Sequence, residues 1–304
     1  MPIVKQSNTS IFITRGFITL AAVLVFLIAT WGFKQLAYSD QGVEREEFIK
    51  TAGQLTSRIE ERMNTNINLL YAARAMFSAN ESVSRREWKQ FVTSLDLSRR
   101  YPGVSTVAYM KRVKETDRQE FITEVRGDRT LQENGYPSFT IYPDEQKSEY
   151  VVITYVEPLN ETTAKGMGFD FSSEPERAKI LDQARDTNTP RLSGVVRAVT
   201  TNTPSFYLIL PLYIPGASVE TPTLRRATFT GTVNLAFRVN ELFDSLFTAE
   251  EKKRYCIEIY DGQSLQPENL LYKSVQKDVT ATTPQEIATV QIAQHLWTLR
   301  LSQH

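Results

Sequence analysis

Residues 16–33, GFITLAAVLVFLIATWGF, run for eighteen positions without a charge. As a helix such a run is about 27 Å long, close to the thickness of a bilayer core. Arg15 at one end can snorkel to the headgroups, and Trp31 near the other suits the interfacial aromatic belt. The run is apolar on every side, which disfavours a surface helix of a soluble domain. A cleaved signal peptide competes with this reading because Ala37 and Ser39 form a small-x-small site. The run nevertheless exceeds the roughly 7 to 15 residues of a signal h-region. The expectation is a single-pass signal-anchor helix at 11–36 in the cell membrane, behind a short cytoplasmic tail at 1–10. Lys5 and Arg15 precede it and Lys34 and Arg45 follow, so local charge does not fix the orientation. The short tail and long polar remainder favour an outward-facing C-terminal side.

Beyond the span a second pattern dominates. Phe48, Ala52, Leu55, Ile59, Met63, Ile67, Leu70, Arg74 and Phe77 follow one another at spacings of three and four, with no proline between residues 38 and 80. That is one stripe of a long helix whose other faces carry Glu44, Arg45, Arg58, Glu60 and Glu61. Such a stripe suits a stalk that pairs with its counterpart in a dimer, and equally a helix packed on its own domain.

The remainder mixes helix and strand. Ser84 with Glu87 is a capping-box signature before Trp88, Phe91 and Val92, and Thr116 with Gln119 is another before Phe121 and Ile122. Strands are expected at 104–113, 139–142, 150–156, 192–199, 206–213 and 228–237, with a helix at 175–186 begun by Ser172 or Ser173. A second unit begins near Asn240, with a short helix at 241–247 and strands at 255–260, 270–273 and 296–301. Residues 215–223 and 276–285, rich in Thr, Pro and small side chains, read as loops. Antiparallel strands with interspersed helices imply an α+β fold.

Composition removes several functions. Lys and Arg total 35 and so do Asp and Glu, giving zero formal charge and no electrostatic case for nucleic acid. One cysteine, Cys256, and two histidines, His295 and His304, leave no disulfide, no cysteine zinc site and few triads. Glu157, Glu161 and Asp170 fix no separation that glycoside chemistry would need. No phosphate-binding glycine loop is present, so no catalytic residue, metal or cofactor is expected.

Two stretches carry a family resemblance. Tyr101-Pro102-Gly103-Val104 is followed by Val107-Ala108-Tyr109, and residues 168–213 read GFDFSSEPERAKILDQARDTNTPRLSGVVRAVTTNTPSFYLILPLY. This aspartate, Ser-rich helix start, early helical Arg, Ala-Arg-Asp-Thr helix end and apolar strand closing on Pro-Leu-Tyr resemble the CHASE family. That family is the extracytoplasmic sensor of receptor histidine kinases, nucleotide cyclases and diguanylate cyclases. The resemblance implies a stalk helix at 38–80, a distal PAS-like ligand-binding domain at 81–238, a proximal PAS-like domain at 239–304, and dimerisation through the helices. In the cytokinin-binding members an aspartate accepts hydrogen bonds from an adenine ring, and Asp170 stands at the matching place. Leu192 and Thr200 or Thr201 would match two further pocket positions, and Thr187 a threonine at the helix end. The segment between Val195 and Ser205 departs from the plant pattern.

Physically, Asp170 lies between Phe169 and Phe171, and on a strand it would point away from both. It either takes two donor hydrogens from a ring amine or an ammonium, or caps the next helix or pairs with Arg177. Tyr155, Phe206, Tyr207 and Tyr213 are candidate pocket walls, or ordinary core. The expected partners are a small molecule, adenine-like, cytokinin-like or an amine, together with the membrane and a second copy of the chain. An amino-acid sensor and a protein-binding ectodomain remain as alternatives. With no second apolar run, the chain is expected to be a piece of a longer receptor.

Overall fold

The computed structural model describes residues 9–275 and 284–303; of the side chains at 9–44 it describes only Phe26, Ile28, Thr30 and Trp31. The first helix, α1, is Thr9–Ala79. The expected span at 11–36 therefore falls largely outside the described side chains. Among the described residues no helix is long and apolar enough to cross a membrane. The chain forms two compact units, Met1–Thr51 and Ala52–His304, and both β-sheets belong to the second.

Within that second unit the buried stripe of α1 is Ala52, Leu55, Ile59, Met63, Leu69, Leu70 and Ala73, with Asn66 also fully buried. Ile67, Arg74 and Phe77, which the spacing puts on the stripe, are only half-buried. From Ala52 to Ala73 the stripe thus advances by 3, 4, 4, 3, 4 and 3 residues through Asn66 and Leu70, following its own domain. Arg58 donates to the Leu246 carbonyl at 2.7 Å and forks onto Glu251 at 2.9 and 3.0 Å. Arg74 donates to Asn188 Oδ1 at 2.9 Å.

After α1 come α2 (Arg85–Ser94) and the short α3 (Leu97–Arg100). The capping box of α2 is formed, with Ser84 N donating to Glu87 Oε2 at 2.8 Å. β1 (Val104–Lys114) leads to α4 (Arg118–Gly127), which takes no side-chain cap. Thr116 instead donates to Asp117 Oδ1 within a 3-10 turn, so the second capping signature does not act. β2 (Glu149–Glu157), α5 (Glu161–Ala164) and α6 (Pro175–Thr187) follow. Pro175 sits at the start of α6, where its missing N–H costs nothing. Residues 139–142 form no strand, only a bridge from Tyr142 to Phe169. The stretch at 192–199 breaks into β3 (Arg191–Leu192) and β4 (Val196–Arg197). β5 (Pro204–Tyr213), α7 (Pro222–Thr228) and β6 (Phe229–Arg238) complete this part.

The strands make an antiparallel sheet in the order β2-β1-β6-β5-β3, with β4 on β5. Its two faces are covered differently. Ala108, Met110, Ile153, Tyr207 and Ile209 pack with Ile180, Leu181 and Ala184 of α6. The opposite face carries Tyr109, on which Phe77 of α1 stacks with ring centroids 4.4 Å apart. Burial on both sides explains why β5 reads as a continuous apolar run instead of an alternation.

The second sheet comes after α8 (Val239–Asp244) and α9 (Ala249–Arg254). β7 (Tyr255–Asp261), β8 (Leu270–Lys273), β9 (Gln285–Ile292) and β10 (His295–Gln303) pair in the order β8-β7-β10-β9. β9 begins inside the stretch the sequence assigns to a loop. Its residues alternate exposed with half-buried, and only Val290 and Ile292 are buried, so this edge strand carries little apolar signal. Trp297 joins the sheets, 5.2 Å from the Phe206 ring and 5.5 Å from Phe243. Gly103, at φ 91°, lets β1 start against α8, where an added Cβ would lie 2.6 Å from Leu242 Cα.

Candidate functional site

On the α6 side of the first sheet, near its β4 edge, the side chains do not close. A cavity of about 70 Å³ remains. Its floor is sheet: Ala108, Ile153, Tyr207, Asn234 and Ala236. Its roof comes from two connections, Thr162, Thr163 and Gly166 after β2, and 198–201 between β4 and β5. Asn160 fixes the first connection by accepting from the N–H groups of Thr162 and Thr163 at 2.9 and 3.0 Å. Thr163 Oγ1 donates back to the Pro158 carbonyl at 2.7 Å. The second connection is held by the N–H of Ala198 on the Thr203 carbonyl and that of Asn202 on Ala198, at 2.9 and 2.8 Å.

Asn234 is the polar centre of the floor. It is 2% exposed, and its Oδ1 has no hydrogen-bond partner. A buried carboxamide left so forfeits its hydration, a loss of about 1 to 3 kcal/mol. Tyr207 stands beside it, its N–H on Ser193 Oγ at 2.8 Å. Burial raises the Tyr207 phenol above its usual value, against the neighbouring Arg177. Arg177 is 1% exposed and is caged by Phe169, Phe171 and Tyr207, with its guanidinium carbon 5.0 to 5.2 Å from each ring. Its Nη2 donates to the Arg197 carbonyl at 2.7 Å and its Nε lies 2.8 Å from Glu174.

The residues singled out from sequence part into two groups. Thr200 and Thr201 line the cavity, with Tyr207. Asp170 does not. It caps the turn Phe171–Ser173, and its Oδ1 accepts from Val151 N, Ser172 N and Ser172 Oγ at 2.9, 3.1 and 2.7 Å. Its Oδ2 accepts from Lys147 Nζ at 2.6 Å. The ion-pair partner is thus Lys147, with Arg177 turned to Glu174. With four donors already in place, the carboxylate holds the GFDF segment onto β2. Gly168 belongs to the same clamp, since a Cβ there would lie 2.0 Å from the Thr140 carbonyl oxygen.

Leu192 is buried in β3 opposite Leu208, outside the cavity lining. Phe206 faces the other side of the sheet, stacked on Phe237 at 4.7 Å. Tyr155 also points there, its hydroxyl on the Val83 carbonyl at 3.0 Å and its phenol pushed up to about 12 by burial. Tyr213 donates to the Arg185 carbonyl at 2.6 Å, and burial takes its phenol to about 12 as well. Thr187 closes α6 with its hydroxyl on the Gln183 carbonyl at 2.6 Å. Tyr155 and Tyr213 border an open recess of about 530 Å³ beside the end of α1. Two charge pairs there, Arg85 with Asp128 and Lys111 with Glu124, are formed internally. Asn234 was missed by the sequence reading; an amide inside TVNLAF, a strand apolar on both sides, was the available signal.

The CHASE domain profile matches residues 81–272, more than half of the chain. The chain belongs to the CHASE family. Its folded part is therefore an extracytoplasmic sensor domain. No curated protein matches the chain in sequence. Among solved structures, the extracellular domain of rpHK1S-Z16, a protein assigned as a histidine kinase, is similar at TM-score 0.50 and 12% identity, over 86% of this chain and 95% of that one. The ligand-binding domain of the Pseudomonas aeruginosa PAO1 amino-acid chemoreceptor PctC, solved with GABA, gives TM-score 0.49 and 9% identity over 84% and 98%. An extracellular ligand-binding receptor from Desulfohalobium retbaense gives 0.47 and 12% over 84% of this chain, which spans 39% of that one. At these identities the likeness describes a fold, and this CHASE chain must be read from its own cavity.

Proposed function

We propose that the chain is the small-molecule sensor of a dimeric membrane receptor, anchored through 11–36, whose ligand enters the cavity between Asn234 and residues 198–201. The receptor's output is a histidine kinase, nucleotide cyclase or diguanylate cyclase on the other side of the membrane. One observation carries this reading: the connection between β3 and β4, which leads through β4 into the roof at 198–201, approaches the second sheet. Ser193, whose hydroxyl accepts from the Tyr207 N–H, is followed by Gly194, and a Cβ on Gly194 would lie 3.1 Å from Asp261 Oδ2. Asp261 ends β7 and pairs with His295 at the start of β10. A ligand that draws 198–201 toward Asn234 therefore pulls on a segment braced against the membrane-proximal sheet. A shift of this kind needs a ligand with different affinity for the two arrangements.

Native mass spectrometry of the protein purified from its own cell extract tests the site. Ala236→Trp fills the floor of the cavity, so a co-purified small molecule present in the parent protein should be missing from the variant. A bound mass that survives Ala236→Trp in a correctly folded protein would place the ligand elsewhere.

A further inference from the structure

The cavity's chemistry narrows what it holds, an inference that rests on the proposed ligand site. We infer that its ligand is a small uncharged molecule rich in hydrogen-bonding groups, such as a short hydroxy-amide or polyol, and that Asn234 selects it. An ammonium or carboxylate taken out of water needs an opposite charge or several strong hydrogen bonds to offset its desolvation. The lining supplies no unpaired charge. Its polar groups are the hydroxyls of Ser, Thr and Tyr and the amide of Asn234, and the single ionisable cation among them, Arg238, is forked onto Glu241 at 2.9 and 3.0 Å. Asp170, the carboxylate that would meet a ring amine, is saturated and lies outside the lining. Arg177 is likewise outside the lining, ion-paired with Glu174 and donating Nη2 to the Arg197 carbonyl, although its Nε and Nη1 make no hydrogen bond.

Against that neutral background Asn234 Oδ1 is an acceptor without a donor. An uncharged N–H or O–H from a ligand satisfies it with no ion to desolvate, and the surrounding hydroxyls can donate or accept as required. Size points the same way. A space of about 70 Å³ has room for roughly five water-sized groups, well short of the usual 300 Å³ or more of drug-sized sites.

The test uses four probes of closely similar size: glycolamide (uncharged), glycolate (anionic), 2-hydroxyethylammonium (cationic) and glycine (zwitterionic). Each is titrated into the intact chain and read by the Asn234 side-chain amide signals in nitrogen-15 spectra. Glycolamide should shift those signals and bind at least about tenfold tighter than the three ions, and Asn234→Ala should weaken it about tenfold. Thr200→Val, at the half-exposed rim, should weaken it too, and guards against misfolding at the buried position. Asn234→Asp should turn the preference toward 2-hydroxyethylammonium. Glycolate or glycine binding as tightly as glycolamide, and still depending on Asn234, overturns the uncharged class but leaves the site. If no probe moves the Asn234 signals, and Asn234→Ala changes none of the affinities, the class and the site fall together.

Discussion

Gly194 approaches Asp261 so closely that an added methyl would sit 3.1 Å from Asp261 Oδ2, the carboxylate that also pairs with His295. A contact at that distance forces the carboxylate to give way by a few tenths of an ångström. Gly194→Ala should therefore disturb the Asp261–His295 pair and shift the imidazole signals of His295 in proton–nitrogen spectra. Both partners are about a quarter exposed, so the stability loss should stay below about 1 kcal/mol. Unchanged imidazole signals would mean that the first sheet's loop exerts no pressure on the second.

Asp170→Ala should act on folding and leave the cavity's chemistry alone. The substitution takes the counter-charge from Lys147 Nζ, which keeps only Ser172 Oγ, and removes three further acceptor contacts at a residue 1% exposed. Breaking a buried pair in this way typically costs about 3 to 5 kcal/mol. Lys147 keeps 27% of its side-chain exposure and can rehydrate, so the lower end is expected. Chemical denaturation measures the loss. A variant as stable as its parent would show that the carboxylate is not structural.

The contrast between Asp170 and Asn234 shows what the sequence could and could not reveal. The extent of the helix at 175–186, both sheets' inner strands and the capping box at Ser84 follow from local periodicity and local hydrogen bonds, whereas the helix expected at 241–247 lies at Val239–Asp244. Thr200 and Thr201, which the family pattern singles out, line the cavity. For Asp170 the residues alone left a ligand role and a capping role open, and one backbone turn decides between a carboxylate facing a cavity and one facing its own Ser172 N–H. Asn234 becomes a site residue only when β6 is paired between β1 and β5. Its partners Ala108 and Ile209 are 126 and 25 residues away in sequence, beyond any local pattern.

Glu157 gives a pH signature. Burial, its largest influence, raises its carboxyl above the usual value, outweighing the Leu159 N–H and the nearby cations Lys89 and Arg85. An acid whose folded pKa exceeds its unfolded one favours folding while protonated and loses that contribution as pH rises through the interval between the two. Glu157→Gln keeps an acceptor for Leu159 N and removes the charge, so it should raise the melting temperature at pH 7. The gain should shrink as pH falls through that interval and be gone below about 4.3, the ordinary Glu value. Equal gains at pH 4 and pH 7 would point to packing instead.

Asp186 should behave in the opposite sense. Its hydrogen bonds to Arg226 are the main cause holding its carboxyl far below the ordinary range, with Arg185 adding to them. A depressed carboxylate contributes stability above its unfolded pKa near 3.9 and loses it as pH falls through the lower folded value. Asp186 links the end of α6 to α7, and the Arg225 Nε on its carbonyl at 2.8 Å fastens the same corner. Asp186→Asn should therefore lower stability at pH 6, and the difference should narrow as pH falls below about 3.9, where unfolding of the parent takes up a proton. Because Arg226 is exposed, added salt should shrink the difference at pH 6. A pH-independent difference would mean that Asp186 works through shape, with the hydrogen-bond geometry of its side chain and not its charge holding α7 in place.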